Sequence, residues 1–114
     1  MGGMDVELLV VQDCTHEGAA AARLREALDD VGLVATRFRT TVIDTLNQAE
    51  ERGFVGSPTV LINGRDPFLA PGVQPAVACR RYSGGSGAVG VPPLRELRKA
   101  LKRAADISTS TAGS

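Results

Sequence analysis

The chain has 114 residues, 43% of them hydrophobic and 23% charged, enough for one domain core and too short for two. Thirteen basic and thirteen acidic side chains give a formal net charge of +0, so no general field draws in nucleic acid or anionic lipid. Aromatic residues make up only 4%, which calls for an aliphatic, alanine-rich core.

No apolar run approaches the roughly 18 residues of a membrane span. No basic flank followed by an apolar leader opens the chain. A cytoplasmic protein is expected, with neither a membrane nor a nucleic-acid partner. In that setting the two cysteines, Cys14 and Cys79, are expected as thiols. They are too few for a four-thiolate metal site, and no cofactor is expected.

Val6 to Val11 is a short, nearly continuous apolar run with β-branched residues, the pattern of a buried parallel strand. A helix comes next, with Ala20, Leu24, Ala27, Leu28 and Val31 on one face and Gly32 just past its end. Val34 to Val42 alternates and predicts a second strand, with Arg37 and Arg39 on a wet face. Asp44 is the expected N-cap of a short helix to Arg52, with Leu46 and Ala49 facing inward. Gly53 ends it, and Phe54 folds back onto Ala49.

Thr59 to Ile62 is the third strand, and Asn63-Gly64 is a turn signal. Pro67, Pro71 and Pro75 interrupt the stretch after that turn. Ala76 to Tyr82 is the predicted fourth strand, with Arg65 to Leu69 as a rival return arm. Four glycines between Ser83 and Gly90 predict a flexible loop. Pro93 opens a last helix to about Ala105, with Leu94, Leu97, Leu101 and Ala104 as its buried stripe. The expected domain covers residues 4–106. Residues 107–114 are small and polar and are expected to form a disordered tail.

Cys14 comes after the first strand and is expected at the N-cap of the first helix. Backbone N–H groups without helical partners favour a thiolate there. His16 adds positive charge when protonated, whereas Asp13 and Glu17 disfavour a second anion. The bland alternative is a small buried core thiol. Glu17 reads as a plain helix-start carboxylate, with a capping-box-like contact back to the Cys14 amide as the alternative. Arg80, Arg81 and the cations of the last helix read as solvated surface.

A junction cysteine, with a Ser57-Pro58-Thr59 stretch opening a later strand, resembles the thioredoxin family. The resemblance covers most of residues 4–64. It implies an α/β, thioredoxin-like β-α-β-α-β-β-α order, with a four-stranded mixed sheet in order 2-1-3-4 and helices on both faces. It also implies a cis bond before Pro58, with the Ser57 backbone offering hydrogen bonds to an extended thiol-bearing substrate and Thr59 completing the stretch. The family's Cys-x-x-Cys departs here, because Glu17 stands where the second cysteine would be. A dithiol cycle needs that resolving thiol.

The expectation is therefore single-thiol exchange or thiol capture by Cys14, modulated by His16 and Glu17. The partner would be a thiol- or disulfide-bearing protein or small molecule. Gly53 to Thr59, Asn63 to Phe68 and Cys79 to Tyr82 further resemble small bacterial proteins, some labelled alkylmercury lyase. That resemblance leaves open an organomercurial lyase or thiol-metal binder using Cys14 and Cys79. In the 2-1-3-4 order, however, two strand spacings of about 9–10 Å separate the two cysteines' strands. A non-catalytic interaction module is the third reading. The oligomeric state is not legible in the sequence.

Overall fold

The computed structural model describes the backbone of residues 4–69, 72–78, 82–84 and 87–113, with side chains for 4–69, 72–78 and 90–105. Its elements run β1 (Val6–Val10), α1 (Glu17–Asp30), β2 (Phe38–Val42), α2 (Leu46–Arg52), β3 (Thr59–Ile62), β4 (Tyr82–Gly84), β5 (Gly87–Val89) and α3 (Leu94–Gly113).

The main sheet has three strands in order β2-β1-β3. β1 pairs with β2 in parallel, from Val6 opposite Phe38 to Val10 opposite Val42. It pairs with β3 antiparallel, from Val6 opposite Ile62 to Leu9 opposite Thr59. The continuous apolar run of β1 is explained by cover on both faces. Val6, Leu8 and Val10, with Val60 and Ile62, meet Ala20, Leu24, Ala27 and Leu28 of α1 and Leu97 and Leu101 of α3. Leu9 and Leu61 turn the other way, onto Ile43, Ala49 and Phe54. Successive strand residues point to opposite faces, so one short strand serves two cores.

The expected four-stranded sheet in order 2-1-3-4 is not formed. The α/β class stands, but the sheet stops at three strands, and β4 and β5 form a separate antiparallel pair. After the Asn63-Gly64 turn the chain makes a single bridge, between Ile62 and Arg65. Asp66 then accepts from the Phe68 N–H at 2.9 Å. This turn, with Pro67 inside it, stops the return arm. Residues 76–78, expected in the fourth strand, bond to Phe54 and Ser57 ahead of β3 instead. The glycine-rich stretch expected as a loop holds β5 and most of β4.

Other boundaries shift for identifiable reasons. β2 starts at Phe38 rather than Val34 because the Arg25 guanidinium binds the Leu33, Val34 and Thr36 carbonyls. The N-cap of α2 is Thr45, not Asp44; its hydroxyl accepts from Gln48 N–H while Gln48 reaches back in a capping box. Leu46 is exposed, so Ala49 alone carries the buried side of that helix. Gly53 takes φ 65° at its C-cap, and the Phe54 N–H returns to Ala49 O at 2.8 Å, as expected. α3 continues to Gly113, through residues expected as a tail.

Among the described residues, one charged side chain is buried in the sheet. Glu7 is 3% exposed, on the α2 side of β1. It accepts from the Thr41 hydroxyl at 2.6 Å, from Arg52, and from Arg39 at 3.3 Å. Burial pushes its carboxyl up. The Thr41 hydroxyl, the hydrogen bond and charge of Arg52, and the charge of Arg39 together outweigh burial and hold it below the ordinary value. A carboxyl lowered by folding stabilises fully above its unfolded value, about 4.3. That contribution is lost as pH falls through the lower folded value. Glu7→Gln should cost about 1.5–3 kcal/mol at neutral pH in urea unfolding. The gap to the parent protein should narrow below about pH 4.

Candidate functional site

β1 ends at Val10, and the chain turns through Asp13, which takes φ 59°, to place Cys14 half-buried against the α1 side of the core. α1 begins at Glu17 with His16 as N-cap, two residues later than expected. Cys14 is therefore upstream of the helix rather than at its cap. Glu17 lies in the first turn of α1; the alternative side-chain contact to the Cys14 amide is replaced by a main-chain turn, Glu17 N–H to Cys14 O at 3.3 Å. With the helix starting at residue 17, Glu17 is in its first position, short of the capping-box place.

The partner that the structure gives Cys14 is Ser57. The Ser57 hydroxyl donates to Cys14 Sγ at 3.0 Å and accepts from the Val11 N–H at 3.0 Å. Ser57 has no exposed surface. The Ser57 hydroxyl thus ties the end of β1 to the cysteine that follows it.

The bond before Pro58 is cis, and the other residues of that stretch are buried with it. Thr59 has no exposed surface, and its hydroxyl donates to Gly56 O at 2.6 Å. The Ser57 backbone N–H, expected to face a substrate, donates to Ala78 O at 2.7 Å.

His16 closes another side. A Cβ placed on Gly90 would fall 2.6 Å from both Cδ2 and Cε1 of the His16 ring. Arg23 of α1 donates to Pro92 O at 3.1 Å, and Val91 and Pro92 are buried. The stretch 90–92 is thus held against the start of α1, with a glycine where the imidazole lies.

The structure therefore brings together Cys14, His16, Glu17, Ser57, Pro58 and Thr59 around the C-terminal end of β1. Sequence reasoning missed the Ser57 hydroxyl as the sulfur's partner, and it missed Gly90 and residues 76–78. Gly90 was visible only as one glycine among several. Cys79 lies outside the described residues. Among the described residues, no group of three or more His, Cys, Asp or Glu converges as a metal site would need. A cavity of about 450 Å³ lies elsewhere, between the turn after β3 and α3, with Arg65, Phe68 and Arg103 in its wall. No described helix is long and apolar enough to cross a membrane.

Comparison with known proteins finds no matching family, no matching curated protein and no matching solved structure.

Gly90→Ala should force the His16 ring aside and cost about 1–3 kcal/mol, the usual range for overpacking. His16→Ala in the same protein should restore most of that loss. A double-mutant cycle of urea midpoints reads the coupling.

Proposed function

We propose that this is a thioredoxin-like protein that works through Cys14 alone, by thiol–disulfide exchange or thiol capture with a thiol- or disulfide-bearing protein or small molecule. The observation that carries the reading is the buried Ser57 hydroxyl donating to Cys14 Sγ at 3.0 Å. The arrangement of β1, β2 and β3 around a junction cysteine is compatible with it.

In the proposed step the Cys14 thiolate attacks one sulfur of a disulfide. A new S–S bond joins Cys14 to that half, and the other half leaves as a thiolate. The two electrons of the broken S–S bond depart with the leaving thiolate, so exchange itself needs no separate oxidant or reductant. Ser57 O–H holds the attacking sulfur in place. Glu17 occupies the position from which a second cysteine would expel the product. Release therefore falls to a second thiol from the partner or from solution. His16, two residues past the sulfur, is fixed against Gly90.

With Cys79 retained, Cys14→Ser should abolish exchange with glutathione disulfide, followed by mass as loss of the glutathione adduct, whereas Cys79→Ser should leave it in place. Exchange that persists in Cys14→Ser, or is lost in Cys79→Ser, would refute the reading.

A further inference from the structure

We infer that residues 76–78 are a built-in occupant of the main-chain edge beside Cys14, and that an extended peptide must displace them to pair there. The Ala76 N–H donates to Phe54 O at 3.2 Å, and the Ser57 N–H donates to Ala78 O at 2.7 Å. Each stretch thus gives one donor and one acceptor to the other. An extended peptide added to a strand edge satisfies main-chain groups in this way, without regard to sequence. The contact sits on the residue whose hydroxyl touches Cys14 Sγ. Whatever pairs with Ser57 lies beside the sulfur.

Val77 is 40% exposed and Ala78 is exposed, with Ala76 half-buried, so among the described residues modest side-chain burial adds to the two hydrogen bonds. Segments held mainly by main-chain bonds with few buried contacts open at low free-energy cost. The Ser57 N–H can serve only one carbonyl well, so the segment and an external strand compete for it. A small reagent needs only the sulfur and does not compete. The partner class is therefore an extended polypeptide segment. For exchange, on the reading of Cys14 given above, that segment carries a disulfide.

The test uses the full chain with Cys79→Ser, so that Cys14 alone reports, and compares it with Ala76→Pro, which removes the N–H given to Phe54. Two reagents are used: iodoacetamide, and a hexapeptide whose single cysteine is joined as a mixed disulfide to 2-nitro-5-thiobenzoate. Cys14 attacks the peptide sulfur, the peptide joins Cys14, and the coloured thiolate leaves. With Ala76→Pro the peptide reaction should quicken about fivefold, within the range of one main-chain hydrogen bond, while alkylation changes less than about twofold. Equal changes in both rates, or no change in either, would overturn the inference.

Amide exchange separates this inference from the thiol reading. The Ser57 N–H should exchange faster in Ala76→Pro, while the Ile62 N–H, bonded to Arg65 O, stays unchanged. That result supports the self-occupied edge even if Cys14 proves inert to both reagents. An unchanged Ser57 amide refutes it. Should Ala76→Pro fail to fold, two glycines inserted after Gly72 loosen the same segment and are read in the same way.

Discussion

Ser57 is the joint on which the site depends. It has no exposed surface, so its polar groups must find partners inside the protein or cost free energy. Val11 donates to its hydroxyl, its hydroxyl donates to Cys14, and its amide donates to Ala78. Two segments distant from it in sequence, 11–14 and 76–78, converge on this one buried residue. The register between β1 and β3 puts it there. Leu9 stands opposite Thr59, and one further step along the same face would bring Val11 opposite Ser57. At that step the Val11 amide meets the Ser57 hydroxyl.

The rest of the fold delivers the register. β1 is buried on both faces, so a slip of one residue would exchange the side chains of its two cores and carry Glu7 into the apolar α1 side. Glu7 reinforces the pairing, since Thr41 and Arg39 of β2 and Arg52 of α2 reach it together. Beyond β3, Asn63 adds a clamp: its side chain accepts from Asp5 N–H, and its own N–H donates to Asp5 O. The strand that presents Ser57 is thus secured at its far end as well.

The elements with a clear apolar period were legible in the sequence: β1, α1, β3 and the buried stripe of α3. The fourth strand was not, because Ala76 to Tyr82 shows strand propensity without showing which edge it meets. Its described part meets Phe54 and Ser57. The start of β2 was misplaced because Arg25, eight to eleven residues away, captures carbonyls that an alternating pattern assigns to a ladder. At the site, residue types flagged Cys14 and Ser57-Pro58. The hydrogen bond between them spans 43 residues, and no local periodicity encodes it. The same is true of His16 against Gly90, a contact made by packing across the fold.

The rate of exchange between Cys14 and glutathione disulfide, compared between Ser57→Ala and the parent protein, both with Cys79→Ser, tests the central claim most directly. If the Ser57 hydroxyl holds the sulfur in place, the alanine protein should exchange about threefold or more slowly, and Ser57→Thr should stay close to the parent. Equal rates for serine and alanine would contradict the account.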